Sequence, residues 1–125
     1  MAADSVRFVV PVPVLRIFDV SKAYEFYRDY LGFTLDWEHR FESGLPLYAQ
    51  LSRSDAVIHL SEHHGDGTPG TVVWIAVSDI HRLHAELAAK DYGYARPGAP
   101  ENGPGGPGFA VIDPFGNTLR FAQPD

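Results

Sequence analysis

The side chains of this sequence that could transfer a proton or bind a metal are histidines and carboxylates, because the chain contains no cysteine. His59 lies in the apolar run "AVIHLS", where it alternates with Ile58 and Leu60 and therefore faces the opposite side of an expected strand. From that side it could contact a ligand or act as a general base. His63 and His64 are neighbours in a polar loop, where a short histidine tract can bind metal but is more often solvated.

The bulk composition excludes several classes of function. The net charge of −6 argues against a nucleic-acid partner, since phosphate is bound by clustered lysine and arginine. The sequence has no nucleophile elbow, no phosphate-binding Walker loop and no dinucleotide fingerprint. It also has no apolar run of about 18 residues and no start typical of a signal peptide. We therefore expect no membrane partner and a cytoplasmic location.

The spacing of apolar residues, glycines and prolines predicts one domain over residues 1–125, made of two similar modules. Module 1 covers about residues 8–61, a linker covers 62–70, and module 2 covers about 71–123. Strands are expected at 8–17, 33–41, 47–53, 56–61, 71–77, 94–97, 109–113 and 117–123, with a helix after the first and fifth strands. Pro11 and Pro13 cannot donate to a ladder, so the first strand must lie at a sheet edge or bend.

The helix ends carry local signals of their own. The expected caps are Asp19 or Ser21 for the first helix and Ser78 or Asp79 for the second, and the expected stops are Gly32 and Gly93. Short polar side chains cap free backbone N–H groups, and glycine accepts the left-handed conformation at a helix end. Each module thus has a βαβββ order, and the fold class is α+β.

Four segments of the chain resemble the vicinal-oxygen-chelate superfamily, which contains glyoxalase I, extradiol dioxygenases and bleomycin-resistance proteins. They are "VPVL" (12–15), "EFYRDYLGF" (25–33), "TVVWIAV" (71–77) and "FAVIDPFGNTLRF" (109–121). The closest likeness is to the bleomycin-resistance, drug-binding branch. The resemblance implies two tandem βαβββ modules that form a curved mixed sheet around a cleft, as in glyoxalase and bleomycin-resistance proteins.

Enzymes of this superfamily hold a divalent metal between the modules, with ligands from the first, fifth and last strands. The matching places in this chain are Val12, Val73 or Trp74, and Arg120. Valine and tryptophan offer no ligand atom, and the arginine cation repels a metal. We therefore expect no metal or other cofactor and no catalytic residue.

The resemblance also implies a homodimer with two drug clefts at its interface, and possible exchange of the N-terminal strand about Pro13. The expected ligand-binding residues are Phe41, His59, Ser61, Trp74, Gly116 and Arg120. Phe41 and Trp74 could stack on a planar drug. Arg120 could instead form an ion pair with Glu38 or Glu42. Acidic groups beside the cleft could attract a cationic tail.

One departure concerns the loop before the last hairpin. The known drug-binders have an aromatic residue there, whereas this chain has Gly105 in the run "NGPGGPG". The missing stacking platform leaves a wider opening, which would suit a larger polycyclic or enediyne drug rather than bleomycin itself.

The function expected from these features is non-catalytic sequestration of a small-molecule antibiotic, a bleomycin-type glycopeptide or another natural product, giving resistance. One alternative is a metal-dependent glyoxalase-type lyase or dioxygenase with relocated ligands, for which His39, His59 and Glu62 are the only plausible donors. Another is a metal-free isomerase or cyclase in which His59 is the base.

Overall fold

The structure, a computed structural model, describes residues 5–93 and 95–125. Its strands are β1 (Val14–Arg16), β2 (Thr34–His39), β3 (Tyr48–Arg53), β4 (Ala56–Ser61), β5 (Val72–Ala76), β6 (Gly108–Ile112) and β7 (Thr118–Ala122). Helix α1 (Val20–Tyr24) continues as a π-helical segment (Glu25–Tyr30), and α2 (Ile80–Ala88) follows β5. The order confirms an α+β chain in which each module starts with a strand and a helix.

The strands form two sheets, one for each module. The first sheet has the order β1-β4-β3-β2 and the second the order β5-β7-β6. In each, the opening strand pairs in parallel with the closing strand, and the other pairs are antiparallel. This shared topology confirms the repeat, and the two sheets account for the mixed architecture expected from the sequence.

The second module has one strand fewer than expected in the part of the chain described. Residues 95–97 of the expected strand 94–97 form no strand, and Tyr94 lies outside the described residues. Pro97 and Pro100 lack the N–H group that a ladder needs. Among residues 95–107, all of which the structure describes, Glu101 alone forms a β-bridge to β6, through two backbone hydrogen bonds of 2.9 Å with Gly108.

The first strand is shorter than expected, covering Val14–Arg16 rather than 8–17. The backbone oxygen of Pro13 still accepts a hydrogen bond from His59 N at 2.9 Å, but proline cannot donate in return. Before it, Phe8 is 93% exposed and Val10 is 75% exposed. The prolines therefore separate a short paired strand from an apolar N-terminal arm, residues 5–13.

The helix caps come from aspartates in both modules. Asp19 Oδ1 accepts a hydrogen bond from Lys22 N at 2.9 Å, and Asp79 Oδ1 accepts one from Arg82 N at 3.0 Å. Gly32 ends the first helical segment with φ +77° as expected. The second helix ends at Ala88, before the expected stop at Gly93.

The two modules share one hydrophobic core. It contains residues from both sheets and both helical segments, including Leu15, Phe26, Leu60, Leu87 and Leu119. Each sheet therefore places one face on this core and leaves the other face open.

Asp113 connects the final hairpin to the first module. Its side chain is 4% exposed. Oδ1 accepts hydrogen bonds from Phe115 N and Asn117 N, both at 2.8 Å, as expected for a turn aspartate. Oδ2 accepts from Tyr27 Oη at 2.5 Å and from Asn117 Nδ2 at 2.9 Å. Since Asn117 Nδ2 also donates to Arg16 O at 3.0 Å, this turn ties β7 to β1 and to the first helix.

A second link between the modules is the ion pair of Arg53 with Glu86, with two N–O distances of 2.8 Å. The hydrogen bonds from Arg53 hold the pKa of Glu86 below its usual 4.5.

Both side chains are over a third exposed, so we expect Glu86→Gln to lower the free energy of unfolding by only about 0.5–1 kcal/mol at neutral pH. Because the pKa of the folded carboxyl is depressed, the pair stabilises the fold above about pH 4.5 and this contribution is lost as the pH falls. Urea unfolding should show the two proteins converging at acidic pH, with Glu25→Gln as an exposed control. A difference that grows on acidification would contradict the assignment.

Candidate functional site

The open face of the first sheet carries aromatic and polar side chains in two cross-strand rows. Trp37, Gln50 and His59 are register partners across β2, β3 and β4. The next row contains His39 and Tyr48, with Ser61 as the register partner of Tyr48. Cross-strand partners share a face, so these side chains form one continuous surface, apart from Ser61, which is buried.

A β-bulge decides which side chains reach this surface. The β2–β3 register shifts between Leu35 and Trp37, so Leu35 pairs with Leu51 while Trp37 pairs with Gln50. Leu51 is fully buried, whereas Trp37 is 44% exposed. Simple alternation would have placed Leu35 and Trp37 on the same face.

His59 is held at both ring nitrogens. Tyr48 Oη lies 2.7 Å from Nδ1, and Gln50 Oε1 lies 2.9 Å from Nε2. Asp36 accepts hydrogen bonds from Gln50 Nε2 at 3.2 Å and Ser52 Oγ at 3.0 Å. Burial lowers the pKa of His59. Burial, and next the charge of Asp66, raise the pKa of Tyr48, so the imidazole is neutral and the phenol protonated at neutral pH.

A depression of about 390 Å³ opens at the end of this face and is called the aromatic pocket below. Its lining residues are Trp37, His39, Phe41, Tyr48, His63 and Asp66. The rings of Trp37 and Tyr48 are stacked, with centroids 6.1 Å apart and planes 13° apart. Phe41, which the sequence predicted, is 74% exposed at its rim.

Ser61 supports this pocket from below. It is fully buried, and its Oγ donates to Asp66 Oδ2 at 2.9 Å and accepts from His63 N at 3.0 Å. Its hydroxyl therefore positions the two loop residues that line the pocket. The sequence analysis proposed Ser61 as a ligand contact, and in the single chain its role is to hold Asp66 and His63.

The other predicted residues lie on the second sheet. Trp74 is 49% exposed on β5 and is the register partner of Arg120 on β7. Arg120 is exposed as well. The Gly-rich loop reaches the indole, because a Cβ built on Gly105 would lie 3.1 Å from Trp74 Cζ2. Gly116 occupies the hairpin turn with φ +92°.

The single chain places five of the six predicted residues in two groups, and the sixth, Gly116, lies in the β6–β7 turn. Phe41, His59 and Ser61 belong to the first sheet and its pocket, and Trp74 and Arg120 are paired on the second sheet. Five residues that line the pocket were not among the six: Trp37, His39, Tyr48, His63 and Asp66. In "LYAQLSR" the polar residues Tyr48 and Gln50 alternate with Ala49 and Leu51. This pattern was the sequence signal that Tyr48 lies on the open face.

A larger depression of about 420 Å³ lies between the β3–β4 turn and the start of α2. None of the six predicted residues lines it. Its wall carries the ion pair of Arg53 with Glu86, and its aromatic lining residues, Phe33 and Phe121, are buried.

The residues at the family's metal positions do not fit a divalent ion. Val12, Val73 or Trp74, and Arg120 provide no ligand atom or carry a positive charge. Within the described part of the chain, no three His, Cys, Asp or Glu side chains are grouped so as to hold a metal. The alternative donor Glu62 accepts from Leu47 N at 3.0 Å.

Among residues 5–93 and 95–125, no helix has the length and apolar character to cross a membrane.

Comparison with known proteins gives consistent findings. A family model described as "Glyoxalase superfamily protein" matches residues 2–125. No curated protein matches the sequence. The chain is similar to the bleomycin-binding protein from bleomycin-producing Streptomyces verticillus complexed with copper(II)-bleomycin, with 33% identity over 96% of this chain and 99% of that chain and a TM-score of 0.71.

Two further solved structures share the fold. A bleomycin-binding protein complexed with bleomycin is 25% identical, covering 94% of this chain and 100% of that chain, with a TM-score of 0.72. TnmS3, an antibiotic binding protein from Streptomyces sp. CB03234, is 22% identical, covering 96% of this chain and 100% of that chain, with a TM-score of 0.74. At that identity the likeness to TnmS3 concerns the fold alone.

Proposed function

The chain belongs to the glyoxalase superfamily, and we propose that it binds and sequesters a small-molecule antibiotic without changing it chemically. The observation that carries this proposal is the aromatic pocket, in which the stacked pair of Trp37 and Tyr48 and the exposed ring of Phe41 surround a space open to solvent. Flat apolar rings on an open sheet face suit a planar ligand. The similarity to a bleomycin-binding protein supports the same class of ligand.

In this proposal, the complete cleft forms in a homodimer. The first-sheet face of one subunit would lie opposite the second-sheet face of its partner, so that Phe41 and His59 meet Trp74, Arg120 and Gly116 across the interface. Each face is open in the single chain, and the N-terminal arm exposes several apolar side chains. Exchange of that arm about Pro13 would bury them.

The arm gives a direct test of the dimer. Phe8 and Val10 are largely exposed in the single chain, so Phe8→Ser with Val10→Ser should leave the stability of a monomer unchanged. If a partner buries them, each loss costs about 1.5–3 kcal/mol of association, and the dimer dissociation constant should rise by about 100-fold or more. Sedimentation equilibrium measures this constant. A double variant that dimerises as tightly as the parent would contradict the arm's role.

Sequestration requires tight binding but no chemistry. A useful trap needs a Kd of about 1 μM or lower, about 8 kcal/mol of binding free energy. A drug held between two faces could not reach its target, and such a trap would act in the cytoplasm.

Protection of DNA tests the proposal. Plasmid nicking by at least one of two drugs, iron-loaded bleomycin or an enediyne, should stop when the protein concentration exceeds that of the drug. Protection that needs far less protein than drug would indicate turnover. Failure to protect the plasmid against either drug would contradict sequestration.

A metal-free isomerase or cyclase is the second candidate, because Tyr48 Oη lies 2.7 Å from His59 Nδ1. Such a hydrogen-bonded pair can accept and return a proton. Mass spectrometry of the bound ligand separates the candidates, since catalysis predicts an altered product that disappears in His59→Ala.

A further inference from the structure

The donors and acceptors in the chain of hydrogen bonds around His59 can be assigned by starting from Asp36. An ionised carboxylate can only accept, so Gln50 donates its Nε2 protons to Asp36 and turns Oε1 towards His59. His59 Nε2 must then carry a proton and donate to Oε1. Because burial lowers the pKa of His59 and keeps the ring neutral, Nδ1 has a free lone pair.

Tyr48 is the last member of this chain of hydrogen bonds. It donates its only proton to His59 Nδ1 at 2.7 Å. Its oxygen can then only accept hydrogen bonds from a molecule in the aromatic pocket. The direction of the whole chain therefore makes Tyr48 a dedicated acceptor at the pocket wall.

The other pocket walls favour positive charge. Asp66 brings a carboxylate close enough for its charge to raise the pKa of Tyr48. Trp37 and Phe41 line the pocket with aromatic rings, and the quadrupole of such a ring attracts a cation. The nearby Arg40 is held away, since its Nη1 donates to Leu45 O and lies 3.7 Å from Glu62.

We propose that the aromatic pocket takes a planar organic cation, an amidinium or guanidinium group, which donates N–H to Tyr48 Oη and the Asp66 carboxylate and lies against the Trp37 and Phe41 rings. This inference rests on the proposed function, because it names the part of the ligand that enters this pocket. It assigns recognition to Tyr48 and Asp66, which the sequence did not single out.

Small probes test the charge requirement without an antibiotic. The probes are benzamidine, a planar cation, its neutral counterpart benzamide, and benzoate. The chain has two tryptophans, so in a Trp74→Phe protein the fluorescence reports Trp37 alone. Benzamidine should quench this signal saturably and bind at least about tenfold more tightly than benzamide or benzoate, since hydrogen bonds to charged groups are the stronger ones.

Two substitutions in the pocket and one outside it test the residues. Tyr48→Phe removes the acceptor and keeps the ring, and Asp66→Asn removes the charge and keeps an oxygen for Ser61. Each should weaken benzamidine binding by about tenfold, and Asp66→Asn, which changes only the charge, should leave benzamide binding unchanged. Asp91→Asn, which removes an exposed charge elsewhere, should change neither affinity.

The pH dependence has a defined sign. The groups that face the pocket or act on Tyr48 are Asp36, His39, Gln50, His59, His63 and Asp66. Protonated His59 must donate from Nδ1, which removes the acceptor for the tyrosine proton, and its positive charge repels the probe. Because burial holds the pKa of His59 below its usual 6.5, benzamidine affinity should stay constant from neutral pH down to about pH 6.5 and fall only below it.

The outcomes separate this inference from the proposed function. Equal affinity for benzamide, unchanged binding by Asp66→Asn, or no benzamidine binding would overturn the cation site. If antibiotics bind and benzamidine does not, only the cation site is wrong. If benzamidine binds as expected and no antibiotic binds, the pocket chemistry stands and the proposed function is wrong.

Discussion

Replacing Asp113 by alanine is expected to lower the free energy of unfolding by about 3–5 kcal/mol. The carboxylate accepts four hydrogen bonds in a buried site. Alanine would leave the Tyr27 hydroxyl and the backbone N–H groups of Phe115 and Asn117 without this acceptor. Unpaired buried donors cost more than the hydrogen bonds contributed in the intact protein. The loss would act on both modules because the turn connects β7, β1 and the first helix.

Urea unfolding measures this effect, with Asp91→Ala as a control at an exposed aspartate. If the alanine variant does not fold, Tyr27→Phe keeps the test open. It removes one donor to the carboxylate and should cost about 1–2 kcal/mol. A loss below about 1 kcal/mol in Asp113→Ala would contradict the role of this turn as the link between modules.

Replacing Trp74 by alanine is expected to weaken antibiotic binding by about 10-fold to 100-fold while leaving the melting temperature nearly unchanged. Half of the side chain is exposed in the single chain, so its removal opens no cavity in the core. A ligand stacked on the indole would lose about 1–3 kcal/mol of contact. The effect on binding should therefore greatly exceed the effect on stability.

Calorimetric titration and thermal unfolding, on the same protein samples, measure the two effects. Trp74→Phe serves as the graded control, because a smaller flat ring should retain most of the affinity. Unchanged affinity in Trp74→Ala would remove the second-sheet face from the cleft. A large fall in melting temperature would instead assign the indole to the dimer interface or the fold.

Local rules predicted the last hairpin and limited each helix cap to two candidates, of which the structure selects the aspartate in both modules. Asp19, Asp79 and Gly32 act within a few residues of their own positions, and their types specify what they do. The same holds for Asp113, whose turn was recognisable from its neighbours. The family resemblance, which the matching family model confirms, then indicated that the two modules combine into one fold.

The composition of the pocket depends on pairings between distant residues and could not be predicted in the same way. The bulge after Leu35 moves Trp37 to the open face. The burial of Ser61 depends on Asp66 and His63 in the following loop. The direction of the hydrogen bonds around His59 depends on the β3–β4 register, which no local pattern specifies.

The central claim is that this protein traps a drug without converting it, and an equilibrium titration tests it most directly. Metal-stripped, gel-filtered protein would be titrated with metal-free and metal-loaded bleomycin and with an enediyne panel, using tryptophan fluorescence and calorimetry. We expect saturable quenching by at least one drug with one ligand per chain, a Kd of about 1 μM or lower, and recovery of the unchanged ligand by mass spectrometry. Recovery of a converted product, or no saturable binding by any drug, would contradict the claim.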